Sequence, residues 1–366
     1  MENYAIAGYR LEQAVSDDEE TICQLLALAF GFSANRAREY VANVGLSSFR
    51  ILRTDSDRAA ATAALLNTGH SFGGSDVPTA SIAHVAIAPE ARGRGLARPI
   101  VEGLCEGARS EGALMVSLFG SARPVYRKCE FELAGSEIVY EAASTALPTK
   151  TDADFFQLQP DDERIRRAYA EKVKSEAGLL RRSDAHRSEL LKAPTDGLAA
   201  FAAGSDHLHA YIVLDAADTD VLQFRDWHAE NGAMATALLA FVGRFRSVYP
   251  EVRWHGGPHD DLVAAMPDKG WHLAHQEEWM ARILDPERAL ERRGYGIESA
   301  ALGIRIADPS TGPRDALHRF SFSLKARAPR HPVRRGRRRA TIQPRVCWPL
   351  AVGRRAFLSS NRSAGR

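Results

Sequence analysis

The chain is poor in cysteine, and the few it has are scattered. Cys23, Cys105, Cys129 and Cys347 form no pair with zinc or redox spacing. That excludes a Cys-x-x-Cys chemistry and points to free thiols in a reducing compartment, the cytoplasm. No apolar run reaches the roughly 18 residues a membrane span needs, so membrane association is not expected. Met1 to Arg10 carries Glu2 and Arg10 and has no apolar core segment, so a secretory signal is not expected there. Acids are missing from one end only. From Ala316 to Arg366 there are thirteen Arg, one Lys and no Asp or Glu. That tail carries +14, which leaves −12 for the preceding residues against +2 overall. A basic tail on an acidic body raises the question of nucleic acid. The tail has no aromatic interleaving and no known nucleic-acid motif, so that partner is not expected. Arg, Ala, Pro and Ser predominate in it, and such a composition buries too little apolar surface to order itself.

What is present is a globular composition, 45% hydrophobic and 26% charged, over 366 residues, enough for two or three domains. Residues 8–15 alternate like a strand. Ser16 to Glu20 reads as a helix start, followed by Ile22, Leu25, Leu26 and Ala29 at helical spacing. Residues 48–53 and 59–66 read as a hairpin, and His70 to Pro78 as a Gly/Ser/Pro loop. Thr79 to Ala88 reads as a buried strand and Ala97 to Ser110 as an amphipathic helix closed by Gly112. Residues 113–119 form a second buried strand in this reading, then a short helix at 124–128 and strands at 131–134 and 136–142. After a linker near 146–154 the order repeats: helices 161–176 and 184–192, strands 198–203, 207–215 and 219–227, helix 232–247, strand 251–255, short helix 259–266, strand 271–284. This is the pattern of a diverged duplication. A helix at 286–293 and a strand at 301–307 follow, and periodicity fails after about Leu317.

The chemistry is written in Val85-Ala86-Ile87-Ala88-Pro89-Glu90-Ala91-Arg92-Gly93-Arg94-Gly95-Leu96-Ala97-Arg98. A buried strand enters an Arg-x-x-Gly-x-Ala loop that opens a helix. The physics suits a pyrophosphate: loop amides and the positive helix end face the anion, and small residues at 93, 95 and 97 allow close approach. Arg92, Arg94 and Arg98 add full charges. The glycines lack Rossmann spacing, and no Lys-Ser/Thr pair follows them as in a P-loop. The second piece is Ser121-Ala122-Arg123-Pro124-Val125-Tyr126, where a strand ends and a short helix presents a phenol. With an ordinary pKa of about 10, a phenol suits protonation of a departing thiolate.

These residues resemble motif A of the GNAT superfamily. With Ser121, Ala122, Tyr126, Arg127, Lys128 and Phe131, a linker and a second similar unit, the chain resembles the actinobacterial "enhanced intracellular survival" acetyltransferases. The resemblance covers roughly residues 1–310. It implies an α/β fold, tandem GNAT-like acyl-CoA N-acyltransferase units. Each would have a mixed, mainly antiparallel, splayed sheet flanked by helices, and a truncated third segment would follow. The implied domains are 1–147 (catalytic), 148–285 (degenerate), 286–316 (a remnant of a sterol-carrier-like domain) and 317–366 (a basic, disordered tail). Val85, Ala86 and Ile87 would meet pantetheine. Arg92, Gly93, Arg94, Gly95, Leu96, Ala97 and Arg98 would hold the pyrophosphate, with Ser121 and Ala122 lining the cofactor and Tyr126 as general acid. The implied co-substrate is acetyl-CoA, without a metal. The implied acceptor is a primary amine on an aminoglycoside, a polyamine or a lysine side chain, and the implied assembly is a homo-oligomer, a hexamer.

Three departures from the family stand out. Glu130 replaces the glycine that usually precedes the aromatic Phe131. The second unit has only Asn231-Gly232-Ala233-Met234 where a pyrophosphate loop would stand, so that unit is expected to be non-catalytic. The chain ends in Arg366 after a basic run that does not read as a sterol-carrier-like domain. Such an acid-free ending is what a shifted reading frame in a GC-rich gene would produce. On that reading the terminal carboxylate that the resemblance implies as general base would not be supplied, and a silent CoA-binding or assembly protein is the rival reading. His84 reads first as a pocket-wall or core residue and second as a base. His255, His259, His272 and His275 match no standard zinc spacing.

Overall fold

The computed structural model describes residues 4–6, 8–120, 122–192, 197–216, 220–295, 299–307 and 317–325. The first unit runs β1 (Tyr4–Ile6), β2 (Tyr9–Gln13), α1 (Glu19–Phe30), α2 (Ala34–Val44), β3 (Phe49–Thr54), β4 (Ala59–Phe72) and β5 (Ser75–Ile87). It continues with α3 (Ala97–Ser110), β6 (Met115–Phe119), α4 (Arg123–Arg127) and β7 (Glu132–Ala143). The second unit opens with β8 (Phe156–Leu158), α5 (Glu163–Ser175), α6 (Asp184–Leu190), β9 (Leu198–Gly204), β10 (Leu208–Asp215) and β11 (Val221–Ala229). It closes with α7 (Gly232–Val242), β12 (Glu251–Gly256), α8 (Asp261–Ala265) and β13 (Trp271–Ile283). Then come α9 (Pro286–Arg292), β14 (Ser299–Ala307) and β15 (Leu317–Lys325). No helix among the described residues is long and apolar enough to cross a membrane.

Both units share one sheet of 13 strands, in the order β1-β2-β3-β4-β5-β6-β13-β7-β12-β11-β10-β9-β8. Its two parallel contacts, β5 with β6 and β11 with β12, repeat the same step in each unit. The centre is an exchange. β13, from the end of the second unit, lies between β6 and β7 of the first, antiparallel to both. β7 in turn lies between β13 and β12. Packing follows pairing. Met280 and Leu284 are buried in the core under α3, with Val101, Leu104 and Phe131. Ile138, Tyr140 and Ala142 of β7 are buried in the second core with Phe224, Leu238 and Trp254.

Local signals explain most elements. α1 starts on Glu19 and Glu20, where acids meet the positive helix end, and stops at Gly31 in left-handed conformation (φ 70°). α3 buries Ile100, Val101, Leu104, Cys105 and Ala108 on one face, as its spacing predicts. Four segments differ from expectation. α2 was not anticipated, although Ser33 caps it by accepting from the Arg36 amide and Ala37, Tyr40 and Val41 are buried on one side. The expected loop at 70–78 is a paired hairpin: β4 and β5 stay in register to Phe72 and Ser75. Gly73 and Gly74 make its turn, both at positive φ (59° and 80°), the conformation that tight hairpins favour. A methyl group on Gly73 would also overlap the Gly294 carbonyl. Residues 131–142, expected as two strands, are the single strand β7, which takes up a register shift opposite Trp279 and Met280. Finally, Leu317–Lys325 pairs antiparallel with Ser299–Ala307 where irregular chain was expected. Phe320, Phe322 and Leu324 alternate with serine there, a strand period that the arginines nearby obscured. Cys347 and the expectation of disorder from residue 326 onward lie outside the described residues.

The second unit also docks on the hairpin. The Ser71 amide donates to the Leu179 carbonyl, and the Gly178 and Arg181 amides donate to Ser71 and Gly69. His70, buried, donates from Nδ1 to the Gly178 carbonyl at 2.9 Å, and its Nε2 faces the Ser117 hydroxyl at 3.3 Å. Burial pulls the His70 pKa down to about 4, opposed in part by that bond to Gly178. His228 is lowered to about 4 as well, by burial first and then by Lys172. Between pH 6.5 and 4 the unfolded chain binds protons at both sites that the folded chain refuses, so stability falls as pH falls through that window. The two together are expected to cost about 2 kcal/mol between pH 7 and 5.5. Thermal unfolding across that range measures this, and His70→Gln should flatten the dependence; an unchanged slope would reject the His70 contribution.

Candidate active site

The cofactor strand is β5. It pairs with β6 only from Thr79 to Ser81, opposite Met115 to Ser117. On its other edge β6 pairs with β13 along its whole length, from Met115 with Ile283 to Phe119 with Trp279, so beyond Ser117 its edge toward β5 is unpaired. β5 continues to Ile87 with β4 on its other side, Thr62 opposite Ala86 and Ala61 opposite Ile87. A slot therefore opens between β5 and β6. The Ala88 amide donates to the Ala60 carbonyl on the β4 side. Strand alternation then turns the main-chain groups of Ala86 to β4 and those of Val85 and Ile87 into the slot. Arg92 already uses this edge: its Nε donates to the Ile87 carbonyl at 3.3 Å.

At the end of β5 the chain makes a short 3-10 turn (Pro89–Ala91) and enters the glycine loop. Gly93 and Gly95 both sit at φ 77°, a region that side chains rarely adopt. Space is not the constraint, since a Cβ on either would meet nothing within 4 Å. Buried Leu96 anchors the loop, while Arg92, Gly93, Arg94 and Gly95 are exposed. α3 then begins at Ala97. Leu96 supplies no side-chain cap, and the first turn carries no acid. The first amides of α3 thus point outward uncompensated, with the helix dipole behind them, as an anion site requires. Arg98 is bridged to Glu102 at 2.7 Å, so its charge is partly committed within the helix.

Across the slot, α4 carries Tyr126. Its ring is buried and meets Phe131 edge-on, with centroids 6.3 Å apart. Ala122 starts that helix, its carbonyl accepting from the Val125 and Tyr126 amides. The Tyr126 hydroxyl hydrogen-bonds to no described residue, which leaves it for a ligand. Burial, with a smaller push from Cys129, raises its pKa above 10, so it stays protonated at neutral pH. Gly120 makes room for it, because a Cβ there would meet Met280 Sδ and Tyr126 Cδ2. Ser121 lies outside the described residues. Glu130 adopts φ 63°, the left-handed conformation that glycine would supply, and the Phe131 amide closes the helix end on the Tyr126 carbonyl. An ion pair with Arg282 at 2.8 Å accompanies it. The thiols nearby are unreactive: burial lifts Cys105 to about 12 and Cys129 to about 11.

The residue that sequence reading undervalued is His84. β5 carries one more residue than β4 between the pairs Ala83–Ala64 and Ala86–Thr62, and His84 sits in that bulge at φ 53°. The bulge throws its ring against Phe30, Phe32 and Tyr40, with centroids 5.0, 5.4 and 4.6 Å away. It is not satisfied as a core histidine would be: Nδ1 is buried without a partner among the described residues. Burial and then Arg36 lower its pKa, so it is neutral at pH 7 and able to take a proton. Arg36 is held by Glu189 of α6, so the second unit reaches this wall of the site. No property of the sequence near position 84 signalled this, because the bulge is set by pairing with β4.

Among the described residues, the start of α7 in the second unit differs from that of α3. At the corresponding turn, Asn231 accepts from the Met234 amide and so occupies the start of α7. The four histidines weighed for zinc do not converge: His255 pairs with Glu137, His272 with Glu141 and His275 with Glu277. Among the described residues, only His207, His209 and Glu230 stand at metal-ligand spacing, all exposed.

Residues 10–134 match a family model described as an acetyltransferase (GNAT) domain, and residues 178–283 match a second model with the same description. The chain thus carries two GNAT acetyltransferase domains in tandem. A GCN5-related N-acetyltransferase from Anabaena variabilis is similar at 26% identity over 87% of this chain and 83% of its own, with a TM-score of 0.79. A GCN5-related N-acetyltransferase from Kribbella flavida (24%, 86% and 81%, TM-score 0.71) shares the fold. So does Eis1 from Mycobacterium abscessus (19%, 88% and 85%, TM-score 0.67). No curated protein matches the chain. The fold is that of acyltransferases, which generally draw on an acyl-CoA.

Proposed function

We propose that the first unit transfers an acetyl group from acetyl-CoA to a primary amine by direct attack. The acceptor class is an aminoglycoside, a polyamine or a lysine side chain. The observation that carries this reading is the continuity of the β5–β6 slot with the uncapped, acid-free start of α3. Pantetheine adds to the free edge of β5 at Val85 and Ile87, and the pyrophosphate lies over Gly93 to Arg98. The neutral amine attacks the thioester carbon from the side of α1, α2 and His84. The tetrahedral adduct expels CoA as thiolate, Tyr126 donates its proton to that sulfur, and the proton shed by the amine nitrogen passes to solvent, which reprotonates the phenolate. The new bond is the amide, the broken one the thioester. The second unit, with its helix start occupied by Asn231, supports the first rather than binding a cofactor of its own. Homo-oligomeric assembly, as a hexamer, belongs to the same reading and rests on resemblance alone.

Gly95→Glu tests the cofactor half. A side chain at φ 77° costs on the order of 1–2 kcal/mol, and its carboxylate would face the pyrophosphate. Calorimetry with CoA is expected to show binding weakened by at least about 100-fold. Equal affinity in both proteins would reject the assigned loop. CoA binding without thiol release on any of a broad panel of amines would favour a silent, assembly role instead.

A further inference from the structure

A second basic site lies away from the cofactor loop. The turn of the β4–β5 hairpin, α5, α6 and α9 enclose a cleft of about 750 Å³ that no residue of 85–98 lines. Six of its lining side chains are cationic and three acidic. That bias stands out because residues 1–315 carry −12 as a whole. Most of the cations are neutralised in place: Arg181 pairs with Asp76 at 2.7 Å, Lys174 with Glu171 at 2.7 Å, Arg166 with Glu163 and Asp184 at 3.5 and 3.6 Å, and Arg182 chelates Asp226 while stacking on Tyr169. Arg187 is not. Its Nε is buried and has no hydrogen-bond partner among the described residues. It lies near two further guanidiniums, Arg166 and Arg182; burial and then their charge lower its pKa, with Asp226 and Tyr211 opposing the shift. A buried guanidinium donor costs free energy until an acceptor meets it. The cleft is lined by Arg166, Arg187 and Arg292 beside Tyr169 and Val173, and a planar guanidinium can meet phosphate oxygens two at a time.

We propose that this cleft is an anion site for a small phosphorylated ligand bearing at least two phosphate charges, distinct from the pyrophosphate loop. Such a ligand would bridge the hairpin that carries the cofactor strand to α5 and α6 of the second unit.

Calorimetry of the full chain with inorganic pyrophosphate is the test, at fixed ionic strength because the interaction is electrostatic. The wild type is expected to bind at two sites. Gly95→Glu should keep only the cleft site, and Arg187→Gln should keep only the loop site, with cleft affinity down at least about 10-fold. Arg292→Gln, on the rim, serves as a second variant should Arg187→Gln unfold, and is expected to weaken the same site. Wild-type binding at one site only, abolished by Gly95→Glu, overturns the proposal. So does a cleft isotherm unchanged in both arginine variants. One wild-type site that survives Gly95→Glu and is lost in Arg187→Gln would uphold the cleft and reject the loop assignment. Adenosine diphosphate in place of pyrophosphate separates the sources: tighter binding identifies a nucleotide, equal binding a free polyphosphate.

Discussion

Tyr126→Phe is expected to lower kcat by about 10²–10⁴ while leaving CoA affinity within a factor of two or so. The substitution removes one hydroxyl that hydrogen-bonds to no described residue and keeps the ring against Phe131. Stability should therefore move by less than about 0.5 kcal/mol, which separates a chemical role from a packing role. Thiol release from acetyl-CoA with a polyamine acceptor is the readout. Burial holds the phenol above its ordinary pKa, so an alkaline limb from Tyr126 should fall above pH 10 in the wild type. An unchanged kcat would mean that solvent protonates the thiolate, and the assignment of Tyr126 would fall.

The second large effect concerns folding. A fragment of residues 1–147 is expected to be insoluble or to unfold without a cooperative transition, whereas residues 1–293 should be soluble and unfold in one step. The cause is the exchange at the centre of the sheet. Removing β13 leaves β6 and the first half of β7 as open edges facing one another across its place. It also takes Met280 and Leu284 out of the first core, where each large-to-small loss alone costs about 2–5 kcal/mol. The apolar strand residues Val116 and Leu118 would then face solvent or other chains. A fragment of 1–147 with a sharp thermal transition would show instead that the first unit closes without its borrowed strand.

The same exchange marks where sequence reading stops. The bounds of α3 were legible to the residue, because its apolar stripe is local and glycines punctuate both sides. The cofactor loop was legible for the same reason: Gly93 and Gly95 are needed for a backbone conformation, and Ala97 opens the helix directly after it. The hairpin at 70–78 was misread because Gly73, Gly74 and Pro78 are ordinary loop formers, and only the pairing of β4 with β5 as far as Phe72 and Ser75 shows them as the end of a ladder. α2 is readable from Ser33 and its apolar period, although its other face is strongly polar. His84 belongs to a different category. Its spacing in sequence is that of a strand residue, and the extra residue that turns it inward exists only relative to β4.

The residues alone therefore determined the class of chemistry: a strand, a glycine–arginine loop, a helix start and a phenol, each defined within a few positions of chain. Backbone sterics, helix capping and the apolar period act over that range, so they can be read without neighbours. Only the tertiary structure decided which strand stands beside which. β13 and β7 are both alternating strands, and nothing local chooses their partners, because sheet pairing is satisfied by any edge of suitable register. That choice was made by the joint burial of Met280, Phe131 and Tyr140 across two cores. It placed the slot and the basic cleft, while the left-handed His84 follows from the pairing of β5 with β4.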